Sequence, residues 1–115
     1  MADESSVIDF SVFQQADVRV GVILSVEVAD GCRVPAYSLV VDFGAGLGLR
    51  KSIAQATNYA ADALVGKQVL AVVNLKPRQV GKHVSEVLVL GVPTEDRGTA
   101  LVIPDMPAIK GGRLF

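Results

Sequence analysis

Val72-Val73-Asn74-Leu75-Lys76-Pro77-Arg78-Gln79-Val80-Gly81-Lys82-His83 joins two apolar runs through a basic corner. The run from Gln68 to Val73 reads as a strand that ends at Asn74. A second, Val84 to Leu90, starts as soon as the corner closes. Between them Lys76, Arg78 and Lys82 gather with no acid among them. Pro77 fixes the backbone φ at about −65° and stiffens the turn. A rigid cationic corner between two buried strands presents charge and hydrogen-bond donors on a fixed scaffold. That suits a binding surface and supplies nothing for bond-making chemistry.

Upstream of the corner, Val18, Val20, Val22, Leu24, Val26 and Val28 alternate with Arg19, Gly21, Ile23, Ser25 and Glu27. A period of two over that length predicts a long strand. Before it, Val7, Phe10 and Phe13 recur at helical spacing behind Asp9, a possible N-cap, and predict a short helix from Val7 to Gln15. Residues 1–6 read as a frayed leader. After the Asp30-Gly31 loop, Pro35 delays pairing until Tyr37, Leu39, Val41 and Phe43 form one face of a second strand. Gly44-Ala45-Gly46 turns it into a third, Leu47 to Ala54, so these two form a hairpin. Ala56, Tyr59, Ala60, Ala63 and Leu64 then fit a helix of about ten residues ended by Gly66. A short last strand covers Ala100 to Ile103. The tail from Pro104 to Phe115 holds Pro104, Pro107, Gly111 and Gly112 and reads as an irregular extension.

Three strands, a helix and two strands predict an all-β fold. Its order is that of a five-stranded oligonucleotide/oligosaccharide-binding (OB) barrel with one helix between strands three and four, an order other small barrels share. Such barrels bind ligands across strands two and three and the adjoining loops.

The 115 residues are expected to form a single domain, 1–115, large enough for one core without staples. Half of them are apolar, and valine dominates, as a strand-built core requires. Net charge is −1 but unevenly placed. Residues 1–30 carry six acids against Arg19, whereas residues 31–90 carry seven bases against Asp42, Asp62 and Glu86. A local basic face on an acidic chain suits salt-sensitive attraction to a polyanion, not indiscriminate nucleic-acid binding. The acidic N-terminus lacks a signal-peptide pattern, no run is long enough to insert in a membrane, and Cys32 has no internal partner, so a cytoplasmic protein is expected.

The run Val18-Arg19-Val20-Gly21, the element Pro35-Ala36-Tyr37 and the stretch Lys51-Ser52-Ile53-Ala54-Gln55 carry further signal, as does Asn74-Leu75-Lys76-Pro77 followed by a glycine loop and Ser85. Together they resemble the tRNA-binding domain found at the ends of some aminoacyl-tRNA synthetases and in related stand-alone proteins. Within that superfamily, Arg78-Gln79-Val80-Gly81 and Ser85-Glu86-Val87-Leu88-Val89-Leu90-Gly91 resemble the CsaA-type export chaperones. The likeness runs from about Phe10 to Phe115. It implies a homodimer without catalytic activity or cofactor, whose groove takes unfolded or precursor polypeptide in the CsaA type and tRNA in the wider family. One departure is Val87-Leu88, where the wider family usually has glycine and methionine.

The candidate groove residues are Arg33, Tyr37, Lys51, Ser52, Gln55, Asn74, Lys76, Arg78, Lys82, Ser85 and Glu86. Lys76, Arg78 and Lys82 hold phosphates or acidic stretches of a client, or only keep a loop soluble. Tyr37 stacks on a ligand at the rim or belongs to the core with Leu39, Val41 and Phe43. Asn74 contacts ligand or bonds nearby backbone. The resemblance places the groove at Lys51, Ser52 and Gln55. Ser85 and Glu86 open the fifth strand beside the corner, where Glu86 can pair with a base. Phe10, Phe13, Ile109, Leu114 and Phe115 cover barrel edges or, as the resemblance implies, meet a partner across a two-fold axis.

Competing chemistries read poorly. His83 and Ser85, two apart on a strand, stand roughly 7 Å from each other, beyond hydrogen-bond reach. One histidine and one cysteine give no metal-ligand spacing. Gly44-Ala45-Gly46-Leu47-Gly48 imitates a phosphate loop but leads into a strand, where such a site needs a helix.

Overall fold

A computed structural model describes residues 6–115; residues 1–5, most of the expected leader, lie outside the described residues. The elements in order are α1 (Phe10–Phe13), β1 (Val18–Val28), β2 (Tyr37–Asp42), β3 (Leu49–Ala54), α2 (Ala61–Leu64), β4 (Gln68–Val72), β5 (Arg78–Val80), β6 (His83–Ser85), β7 (Leu88–Val89), β8 (Gly91–Pro93) and β9 (Thr99–Leu101). Five of the strands form an antiparallel sheet in the order β3-β2-β1-β4-β7. β5 with β6 and β8 with β9 make two further hairpins.

The sheet curls until its ends meet. The Glu86 and Val87 N–H groups donate to the Lys51 carbonyl at 2.8 and 3.2 Å, bringing the chain between β6 and β7 onto β3. The result is a nearly closed, OB-like barrel. Its core is Ile23, Leu39, Val41, Phe43, Leu64, Val69, Ala71, Val73, Val87 and Val89, with Tyr37 packed against it. Val87 is therefore an inward-facing part of the barrel.

β1 has the expected bounds, but its alternation does not run unbroken. The register with β2 shifts between Ile23 and Ser25, a bulge at Leu24. Ile23 is completely buried while Leu24 is exposed. A bulge adds twist and switches which side chains face inward, which lets a long strand serve a small barrel. Gly21 sits where β1 crosses closest to the core: a Cβ there would lie 2.4 Å from Val41 Cγ1 and 2.7 Å from the Phe43 ring.

Four expectations change. The helix after β3 is one turn, Ala61–Leu64, because Ala60 is extended (ψ 139°) and the preceding side chains bond elsewhere in the barrel. Tyr37 Oη donates to the Tyr59 carbonyl (2.8 Å), and Tyr59 Oη accepts the Leu101 N–H (3.1 Å). The first helix spans four residues, and Asp9 caps it through its carbonyl, which accepts the Val12 N–H (3.0 Å), with no side-chain cap bond. The expected strand Val84 to Leu90 breaks at Glu86-Val87, since β6 pairs with β5 and β7 with β4. The basic corner itself is thus partly strand, an arm that turns at Gly81 (φ +59°).

The tail is irregular, as expected, yet it docks. It runs beside the start of β1, beyond the end of β2: Val20 N–H donates to Gly112 O (2.9 Å), Gly111 N–H to Val20 O (2.8 Å) and Leu114 N–H to Val18 O (2.9 Å). Gly111, at φ +84°, approaches so closely that a Cβ would stand 2.6 Å from the Phe43 carbonyl oxygen. The Gly44–Gly48 segment is the β2–β3 turn, closed by Phe43 N–H to Gly48 O at 3.0 Å. No helix among the described residues is long and apolar enough to cross a membrane.

Candidate functional site: a divided groove with a cationic side

Two clefts lie side by side on the face where β3 ends. The larger, about 740 Å³, is walled by the end of β3 (Ile53 to Ala56), by Leu88 to Glu95 and by Gly98, Thr99 and Leu101 of the second hairpin. The smaller, about 550 Å³, lies between the β1–β2 loop (Gly31 to Val34) and the β5 arm (Arg78, Val80, Gly81). Ile53, Gln55 and Arg78 line both, so the two are parts of one groove divided at Arg78. Both volumes fall in the range of ligand-binding clefts, and the larger wall is mainly apolar.

The second hairpin is fixed in place rather than hanging free. Asn58 acts on Thr99 with both ends of its amide, Nδ2 donating to the carbonyl (2.8 Å) and Oδ1 accepting the N–H (3.3 Å). Thr99 Oγ1 donates to Gln55 O at 2.7 Å. On the other side, His83 Nε2–H donates to Asp30 O (2.9 Å) and ties the β6 arm to the β1–β2 loop.

The cations divide by location. Arg19 binds Asp17 at 2.6 Å, Arg113 reaches Asp17 at 3.5 Å, and Lys110 binds Asp42 at 2.8 Å, all at the tail end. The Asp17 hydrogen bond raises the pKa of Arg19, and Lys110 together with the Gly44 N–H holds Asp42 below its ordinary value. Among the described residues no ion pair involves Arg33, Lys51, Lys76, Arg78 or Lys82, and all five are exposed. Arg33 and Arg78 line the groove. Lys76 joins Arg78 at a third, small cleft with Ser85 and Glu86. Lys51 lies on β3, and Lys82 at the tip of the arm lines none of these clefts.

Several other candidates make bonds within the scaffold. Ser52 (1% exposed) and Ser85 (4%) are inside the wall. Ser85 Oγ accepts the Ile53 N–H (3.0 Å) and donates to Val87 O (3.0 Å), and Ser52 Oγ accepts the Val89 N–H (3.3 Å). Glu86 Oε1 accepts the Lys51 N–H (2.8 Å), so it helps close the seam, and among the described residues it forms no ion pair. Asn74 Oδ1 accepts the Asp17 N–H (2.9 Å) while Nδ2 donates to Gln15 O (2.7 Å). Tyr37 is half-buried against the core. With His83 and Ser85 bonded to different partners, they form no nucleophile–base pair.

The wall residues Leu88 to Glu95 and Leu101 were not among the sequence-derived candidates. Val92-Pro93-Thr94-Glu95 before Gly98 was a readable turn signal. Reading Val84 to Leu90 as one strand hid the hairpin behind it.

At the far end, Phe10, Phe13, Leu114 and Phe115 form an exposed apolar cleft with Gln14, Ala16 and Arg113. The Phe10 and Phe13 rings are tilted, with centroids 5.9 Å apart. Ile109 is exposed nearby in sequence but outside this cleft.

Residues 18–113 match the family described as "Putative tRNA binding domain". Methionine–tRNA ligase of Bacteroides fragilis is 34% identical over 102 residues, covering 84% of this chain and 14% of that protein. The chain thus spans about one seventh of the length of the curated relatives it matches. The CsaA chaperone protein from Picrophilus torridus superposes with a TM-score of 0.90 at 40% identity, over 95% of this chain and 100% of that one. The chaperone CsaA of Bacillus anthracis str. Ames gives 0.87 at 37% identity, over 96% and 100%. The chain belongs to the tRNA-binding-domain family and is of its CsaA type.

Proposed function

We propose that the protein is a non-enzymatic chaperone of the cytoplasm: a homodimer whose groove holds unfolded or precursor polypeptides ahead of export. The observation that carries this reading is the apolar wall of the larger cleft, built from Ile53, Ala54, Leu88, Val92 and Leu101 with cations confined to one side. The similarity to CsaA chaperones supports it. Burying about 300 Å² of apolar client surface at about 25 cal/mol per Å² gives roughly 7 kcal/mol. Association and ordering costs offset most of that, leaving weak, rapidly exchanging binding suited to a holdase. The exposed cluster of Phe10, Phe13, Leu114 and Phe115 supports the dimer, for apolar patches rimmed by polar groups mark interfaces. The test is aggregation of a chemically unfolded client at equimolar protein. Suppression that persists at moderate salt is expected, and no effect on the client sinks the reading.

A second reading, tRNA or RNA binding, is favoured by the family itself and by Arg33, Lys51, Lys76, Arg78 and Lys82, which are exposed and make no ion pair among the described residues. It requires affinity that falls with salt at a log–log slope of about −0.7 to −0.9 per phosphate neutralised. Replacing Lys76 and Arg78 together by Ala should then remove most binding. A flat salt dependence excludes it, and competition between tRNA and an unfolded peptide tells whether one groove takes both.

A further inference from the structure

Glu95 differs from every other charged residue lining the groove, since the rest are arginines. It stands on the β8–β9 turn, beside Thr94, whose Oγ1 accepts the Arg97 N–H (2.8 Å) and donates to Gly98 O (2.8 Å). The hairpin that carries it is in turn anchored to the barrel through Asn58 and Thr99. Its position is therefore built, not a chance of a loose loop. Arg78 belongs to the other wall, on β5, where the two clefts join, and Arg33 lies on the β1–β2 loop that lines the smaller cleft. None of the three makes an ion pair among the described residues. The groove accordingly begins at a carboxylate, passes an apolar floor at Ile53 and Leu101, and ends at two guanidiniums.

We infer that this groove reads the order of charges in its ligand. It takes an apolar polypeptide stretch flanked by Lys or Arg on the side that meets Glu95, and by Asp, Glu or a terminal carboxylate on the side that meets Arg78 and Arg33. Guanidinium forks match a carboxylate with two parallel hydrogen bonds, and a carboxylate on the opposite wall attracts an ammonium or guanidinium. A phosphodiester chain laid along the same path would set a phosphate against Glu95, so the charge order favours polypeptide over RNA here. Because these charges are on the rim, each matched flank is worth roughly two- to fivefold in affinity. The inference rests on the peptide-binding reading above.

The test uses fluorescence anisotropy with labelled peptides that share one apolar centre and differ only in flanks: Lys and Glu, Lys and Lys, Glu and Glu, or Ser and Ser. The intact protein should bind the Lys/Glu peptide tightest. Glu95→Lys should move the preference to the Glu/Glu peptide, and Arg78→Glu should move it to the Lys/Lys peptide. Equal affinity of the intact protein for every peptide overturns the charge-order inference while leaving peptide binding intact. Failure to bind any of them, the Ser-flanked one included, overturns both.

Discussion

Ser85 and Ile53, 32 residues apart, are joined across the barrel seam by a buried hydrogen bond of 3.0 Å from the Ile53 N–H to Ser85 Oγ. The sheet has no full backbone ladder at this edge, so side chains complete it. Ser85→Ala leaves a buried N–H without a partner, which costs about 1–3 kcal/mol. Urea unfolding of the variant should show that loss as a lower midpoint with an unchanged slope. A midpoint equal to that of the unaltered protein would mean that the seam closes without the hydroxyl.

Asn74, just past the end of β4, holds the chain before β1 through Asp17 and Gln15. Asn74→Ala removes two exposed side-chain bonds, at about 1 kcal/mol for each. The loss should appear as faster amide exchange around Gln15 to Asp17. Peptide or RNA affinity should change little, because Asn74 spends its amide on this tie. A selective loss of ligand binding with unaltered exchange would assign it to the site instead.

Gly21 has an ordinary backbone but no room. Gly21→Ala sets a methyl group against Val41 and Phe43, both fully packed. Overpacking of that kind costs about 1–3 kcal/mol. Thermal unfolding measures it, and an unshifted transition would show that β1 can move away from β2.

These residues also mark what could be read from the chain alone. β1 was legible to its last residue because period-two alternation is local, and the β2–β3 hairpin because its glycine loop is local too. The bulge at Leu24 was not legible: it is a shift of the β1–β2 register, which exists only once the two strands pair. The same holds for Ser52, Ser85 and Glu86. A short polar side chain beside a basic corner looks the same in sequence whether it faces a ligand or a strand 30-odd residues away. That Arg33 and Arg78 face the clefts was legible, because charge next to glycine and proline is itself a surface signal. Glu95 was not legible as a cleft residue, because its place on the wall depends on the β8–β9 hairpin, which forms only where the run from Val84 breaks.

Asp42 carries the pH prediction. Lys110, then the Gly44 N–H, hold its carboxyl below the ordinary value, so the folded form binds a proton less readily than the unfolded chain. Its contribution is fully present above the unfolded value, about 3.9, and is lost as pH falls through the lower folded value. Stability should therefore decline as pH drops below about 4. In Asp42→Asn that decline should be shallower, since the variant lacks this proton-linked part at every pH. Parallel acid profiles for the two proteins would show that the tail is held by its backbone bonds to β1 alone.

The last prediction concerns the proposed dimer. Phe10 is 65% exposed, Phe13 41% and Leu114 40%, while Phe115 is fully exposed, and together they line one cleft. Fully burying an apolar side chain of this size is worth about 1.5–3 kcal/mol, so two-fold pairing of this face would bury several such groups at once. Light scattering should give the unaltered protein a mass twice that of the 12.1 kDa chain. Phe13→Ser combined with Leu114→Ser should halve it while circular dichroism still reports the barrel, because neither side chain belongs to the core. A monomeric mass for the unaltered protein at micromolar concentration would remove the dimer from the proposal and leave the groove to act in one chain.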